Sequence, residues 1–201
     1  MQKENHVAFK EWASIVNALR EGKQILILRK GGIREESGEF QIEHKEFFLF
    51  PTYEHQNKED LKPIAYDILD QTIQMKPDPA KTPVRYYAQT ANVIHLTEES
   101  DLKRLEPYHV WSEKAIKQRF HFGRQKGLFV LPVRIFQLPS PHLIAANDPD
   151  YSGCKSWVEL KQKLSTQGAQ PVVSVPDFKK RLEAINSLFL KSAQKTQNPS
   201  A

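Results

Sequence analysis

Apolar residues recur along this chain with two different periods, and the elements follow from whichever period holds locally. Between Val7 and Glu21, the residues Phe9, Trp12, Ala13, Val16 and Leu19 stand three or four apart, as in one buried helical stripe, and Gly22 supplies a natural stop. The next run, Gln24-Ile25-Leu26-Ile27-Leu28-Arg29, is aliphatic, too short for another helix and bounded by Gly22 and Gly31-Gly32. It predicts a buried central strand. From Gly38 to Phe50 the period is two. Phe40, Ile42, His44, Glu46, Phe48 and Phe50 share one face, Gln41, Glu43, Lys45, Phe47 and Leu49 the other, and Pro51 ends the run.

Asn57 or Lys58 through Met75 predicts a helix carrying Leu61, Ile64, Ala65, Ile68 and Leu69, with Pro63 in its first turn. Lys76 to Pro83, with three prolines, is a loop. Val84 to Leu96 predicts one or two strands, Asp101 to Leu105 a helical turn, and Ser112 the N-cap of a helix through Phe120. Leu128 to Leu138 is another strand, in which Pro132 marks a bulge or an edge position. A turn at Pro139-Ser140-Pro141 leads into an irregular loop to Cys154, then a helix with Trp157, Leu160 and Leu164. Ser174 and Pro176 open a last helix, with Phe178, Leu182, Ile185 and Phe189 facing inward. Strands interleaved with helices, joined by loops of unequal length, predict an α+β fold: a mixed sheet or partial β-barrel with helices packed outside. Residues 1–190 are expected to form a single α+β domain and 191–201 a disordered C-terminal tail.

Composition narrows the classes. The 201 residues are 39% hydrophobic and 26% charged, with 11 Phe, enough apolar surface for a globular core. The opening MQKENHVAFKEW lacks the apolar stretch of a signal peptide, and no apolar run approaches the ~18 residues of a membrane span, so a cytoplasmic location is expected. The single Cys154 excludes an intramolecular disulfide and any CxxC metal knuckle. A net charge of +5 and a pI near 9.2 favour anionic partners, although Lys179, Lys180, Lys191 and Lys195 also suit a solvated helix face and tail.

The candidate chemistry is concentrated between Arg29 and Gln56. After the aliphatic run, Gly31 and Gly32 free the backbone for close approach to an anion, while Arg29, Lys30 and Arg34 add charge and forked donors. A phosphate or carboxylate ligand suits that pattern, as does a solvated hairpin turn. The spacings of a P-loop and of a dinucleotide fingerprint are missing, and no cofactor is expected. Glu43-His44 and Glu54-His55, with Glu46 between them, can bind a divalent metal or serve acid–base catalysis if the chain folds back at Pro51. Adjacent strand residues point to opposite faces, which opposes chelation by either pair alone. Cys154 precedes a predicted helix, where the dipole favours thiolate; a lone cysteine is more often a small buried packing residue.

Leu28-Arg29-Lys30-Gly31-Gly32-Ile33, Glu43-His44-Lys45-Glu46-Phe47, Phe50-Pro51-Thr52-Tyr53-Glu54-His55-Gln56 and Gly153-Cys154-Lys155-Ser156-Trp157 resemble a bacterial family catalogued as domain of unknown function 1802. Trp12 and Arg134 fit the same pattern. The resemblance implies a bacterial cytoplasmic protein of unassigned activity and brings Cys154 alongside the Arg29–Gln56 region. The chain is also similar to the PUA-like barrels, including the ASCH group, which bind RNA or modified nucleic acid. Gly22 and Arg29 fit the outer positions of that group's early signature, whereas the lysine is displaced to Lys23 and the glutamate is replaced by Ile27.

Two functions lead from sequence, beside a third in which a regulatory protein uses the same cleft for a protein partner. One is a nucleic-acid or nucleotide-binding module, with RNA, DNA or a nucleotide as partner; Arg29, Lys30, Gly31, Gly32 and Arg34 hold phosphate, and Tyr53, His44, His55, Gln56 and Cys154 line the cleft. The other is a hydrolase or nuclease using Glu43, His44, Glu46, Glu54 and His55, with or without metal.

Overall fold

In a computed structural model of the chain, residues 1–30, 44–123, 126–153 and 155–193 are described. Eight strands form one mixed sheet with five α-helices around it: β1 (Glu4–Trp12), α1 (Ala13–Arg20), β2 (Leu26–Arg29), β3 (Glu46–Thr52), α2 (Tyr66–Gln74), β4 (Thr82–Thr90), β5 (Ile94–Leu96), α3 (Ser100–Leu105), α4 (Glu113–His121), β6 (Leu128–Ile144), β7 (Trp157–Ser165), β8 (Gln170–Pro171) and α5 (Val175–Ala193). The strand order is β2-β6-β4-β3-β1-β7, with β5 and β8 also pairing with β6. Only β1 and β3 run parallel. Among the described residues β2 and β7 do not pair, so the sheet is open rather than a closed barrel. Among the described residues no helix is long and apolar enough to cross a membrane.

The period-two reading holds from Glu46 to Phe50, but Pro51 does not end the run: it pairs with Glu11 of β1, and β3 continues to Thr52. Phe47 and Leu49 enter a core shared with α1 and β2, while Phe48 and Phe50 enter a second core on the opposite face with Tyr87 and Val158. One expected helix is a strand instead, and another is a strand over its first part and the helix α1 only from Ala13. Val7 to Trp12 belongs to β1, because that segment pairs with β3 on one side and β7 on the other, and Val7 and Phe9 alternate with Ala8 between the two cores. Trp157 to Leu164 is β7, whose Val158, Leu160 and Leu164 pack on the second core. In both places three- and four-residue spacings coincided with a strand, and pairing decided the outcome.

The aliphatic run at β2 is buried but lies at the end of the strand order rather than in its middle. Gln24 closes part of that edge: its Nε2 donates to the Leu26 carbonyl (2.7 Å) and its Oε1 accepts from Val110 N–H (3.0 Å). The helix expected from Lys58 to Met75 is broken. Leu61 is extended and forms a bridge with Trp111, and α2 begins only at Tyr66. Pro139-Ser140-Pro141 does not turn the chain out of the sheet; β6 continues to Ile144 with a register shift against β4 there. Pro132 sits where the neighbour of β6 changes from β5 to β4, its carbonyl accepting from Ala91 N–H (2.9 Å), so the ring falls at an existing break in the ladder. Ser112 caps α4 as expected, accepting from Ala115 N–H (3.2 Å).

Candidate functional site

Parallel pairing makes β1 and β3 end together, with Trp12 opposite Thr52. Beyond β1 the chain enters α1 with no cap from its own N-cap residue. Beyond β3 it turns through Glu54-His55, where His55 holds φ +60, an uncommon value outside glycine. That turn returns Gln56 to α1, and its Oε1 accepts from Ser14 N–H (2.9 Å), satisfying a donor the helix start leaves open.

Charge gathers at these strand ends. Glu11, at 4% exposure, accepts from Trp12 N–H (2.8 Å) and lies 3.7 Å from Arg29 Nη2. Arg29 also donates to the Lys10 carbonyl and crosses the Phe9 ring at 4.3 Å. A second guanidinium arrives from α4: Arg119 stacks 3.5 Å over Trp111 and 5.7 Å from Trp12, and the two indoles are 4.8 Å apart. Burial lowers the pKa of Arg119 against the pull of the Glu11 carboxylate; Arg29 adds to the lowering and Asp60 opposes it. The group remains a cation at any working pH. Around this cluster Ser14 Oγ, Arg29 Nε, Gln56 Nε2 and Trp111 Nε1 are buried with no hydrogen-bond partner. Three of the four are donors only, so any group that satisfies them must be an acceptor.

On the outward side, Arg119, Asp60, Ala115, Gln118 and Phe122 line a cavity of about 160 Å³, with the Phe122 side chain 74% exposed. Lys30 ties the end of β2 to the same region, donating to the carbonyls of Phe120 (2.9 Å) and Gly127 (3.2 Å), and burial lowers its pKa. Its position complements the C-terminal end of α4.

The residues singled out from sequence divide between several places. Arg29 and Gln56 belong to the cluster, and Lys30 borders it. His44 sets its ring edge-on to Trp157 at 5.3 Å, and Trp157 packs on Phe9 at 4.7 Å. Glu46 accepts from Gln2 N–H (2.7 Å), Tyr87 Oη (3.0 Å) and Gln89 Nε2 (2.9 Å); burial opposes ionisation, and these donors prevail and hold its pKa low. Glu54 pairs with Lys76 (2.8 Å) at the surface, and the neighbouring His55 is exposed. Tyr53 faces a separate cleft on the far side of α1. Gly31, Gly32, Arg34, Glu43 and Cys154 lie outside the described residues. Among the described residues no three His, Cys, Asp or Glu side chains gather as a metal would require.

Glu11, Ser14, Trp111 and Arg119 escaped the reading of the sequence. A signal existed for Glu11. In a strand it follows Val7 and Phe9 at core-facing positions, where a carboxylate demands a partner; read as a helix, that register disappears. Arg119 and Trp111 carry no comparable local signal, since only the packing of α4 brings them to β1.

The chain is thus an open mixed sheet with a guanidinium–indole cluster at its strand ends. The family model described as Domain of unknown function (DUF1802) matches residues 8–184, and the chain belongs to that family. None of the curated proteins compared with the sequence matches it. Among solved structures it is similar to the ASCH protein of Zymomonas mobilis, at 10% identity over 89% of this chain and 93% of that one, with a TM-score of 0.45. Two point mutants of that protein also match at 10% identity and a TM-score of 0.45. A serine-to-alanine form covers 92% of this chain and 99% of its own, and a tyrosine-to-phenylalanine form 89% and 96%. Similarity at this distance transfers no ligand or reaction to this chain.

Proposed function

We propose that this protein is a cytoplasmic nucleic-acid or nucleotide-binding module that takes its ligand at the ends of β1 and β2 and along α4. The supporting observation is Arg119, whose guanidinium stacks on Trp111 at 3.5 Å and which lines the cavity beside the exposed Phe122. Bases stack on guanidinium planes and aromatic rings of this kind with little sequence preference. Arg29, at the end of β2, and the adjoining Lys30 add positive charge that favours phosphate. The Gly31-Gly32 backbone and Arg34 side chain, next in sequence after Lys30, extend the proposed phosphate contacts. A net charge of +5 attracts polyanions over longer range. Titration of the protein's tryptophan fluorescence with RNA and DNA oligonucleotides, at low and at physiological salt, tests the reading. Binding that weakens steeply with salt is expected; absence of binding, or affinity indifferent to salt, contradicts it.

A further inference from the structure

On the far side of α1 a second cavity of about 160 Å³ opens between α1, α2 and strands β3 and β4. Its floor is apolar, formed by Val16, Leu49, Pro51, Ile68 and Pro83. The two helices that wall it are joined by Asn17 Nδ2 donating to Thr72 Oγ1 (2.8 Å), whose hydroxyl donates back to the Ile68 carbonyl (2.6 Å). The rim differs in character from the floor. Arg20, Arg85, Tyr53 and Tyr86 line it, and the charges of Arg20 and Arg85 act on the Tyr86 phenol.

Arg85 owes its position to the irregularity in β4. Val84 pairs with His142 and Tyr86 with Gln137, so Arg85 between them has no register partner and is released from the ladder. Among the described residues it makes no ion pair, and its charge is felt by the phenols of both Tyr53 and Tyr86. The one carboxylate on the lining, Glu21, is already held by Arg20 (2.9 Å) and Lys23 (3.2 Å). Two guanidinium groups and two phenols over an apolar floor thus leave an excess of positive charge and of donors at the mouth.

We infer that this cleft binds a small ring-bearing anion: a carboxylate or phosphate carried on an apolar body the size of one six-membered ring. The anion meets Arg85, Arg20 and the Tyr53 hydroxyl, and the ring rests on Val16, Leu49 and Pro83. The volume agrees, since a cavity of roughly 150 Å³ holds a benzene ring. A bare inorganic anion leaves the floor uncovered, and a neutral ring leaves Arg85 without a partner. This site is independent of the nucleic-acid reading, because Arg119 and Trp111 do not line it.

Isothermal titration of the full chain with phenyl phosphate, benzoate, benzyl alcohol and inorganic phosphate tests the inference. At least one of the two ring anions binds about tenfold more tightly than either benzyl alcohol or inorganic phosphate, and whichever ring anion is tighter identifies the head group. Arg85 is exposed, so Arg85→Met keeps the fold and weakens that ring anion by about tenfold; Tyr53→Phe weakens it less. Oligonucleotide binding is unchanged in both variants. Ring anions no tighter than the neutral ring, or an affinity that survives Arg85→Met, overturns the proposal.

Discussion

His109 makes the stability of this fold sensitive to acid. The residue is 5% exposed, its Nδ1 has no hydrogen-bond partner, and Lys62 Nζ donates to its carbonyl at 2.8 Å. Burial, with the charges of Lys62 and Arg119 adding to it against the accepting backbone of Trp111, pushes its pKa down to about 3. The unfolded chain binds the proton near pH 6.5, so the folded state is favoured by the neutral ring. Stability from this group is complete above about pH 6.5 and is lost as pH falls toward the folded value. At ~1.4 kcal/mol per unit of separation, the loss is about 2 kcal/mol by pH 5 and on the order of 5 kcal/mol below pH 3. Glu46 also loses its stabilising donors' preference in acid, in the same direction. A substitution therefore has to isolate the histidine. Urea unfolding of the parent protein and of His109→Gln, followed by tryptophan fluorescence between pH 7.5 and about pH 5, gives the difference in stability at each pH, in which shared carboxylates cancel. That difference is expected to shift by about 2 kcal/mol in favour of the variant over the interval. A difference that stays constant shows that His109 titrates freely in the folded state and refutes the reasoning.

Other substitutions probe the strand-end cluster and the carboxylate beside it. Arg29→Met strands the buried Glu11 and is expected to cost about 3 kcal/mol in denaturant unfolding, much of it recovered when Glu11→Gln is added. Tyr87→Phe removes a hydroxyl that accepts from Asn5 Nδ2 (3.0 Å) and donates to Glu46, at a cost of about 1–2 kcal/mol measured by the same method. Ser112→Ala removes the cap of α4 and is expected to lower stability by about 1 kcal/mol.

Much of this architecture is legible in the sequence wherever one period excludes the other. β3 alternates too strictly to be helical, the run at Leu26–Leu28 is too short, and Ser112 announces α4 by its capping chemistry. β1 and β7 are not legible in the same way. Phe9, Trp12, Val16 and Leu19 satisfy a helical stripe although the first two belong to a strand, and only the pairing of β1 with β3 and β7 separates them. The same misreading concealed Glu11. Within the candidate site, Arg29 and Gln56 stand out as polar residues after an aliphatic run and after a proline turn. That Gln56 serves the first turn of α1 depends on a contact 42 residues apart, and that Arg119 stacks on Trp111 depends on how α4 packs. Local pattern carries no record of either.

Loss of oligonucleotide affinity on substitution of Phe122 and Arg119 tests the central claim most directly. Phe122 is 74% exposed, so Phe122→Ala removes a stacking surface without disturbing the core, and Arg119→Met removes the plane that Trp111 supports. Fluorescence anisotropy with a labelled RNA at fixed salt is expected to show about a tenfold or greater loss for each variant, with Arg85→Met unaffected as the control. Affinity that persists in both variants, or that falls equally in Arg85→Met, contradicts the assignment of the ligand to the strand-end site.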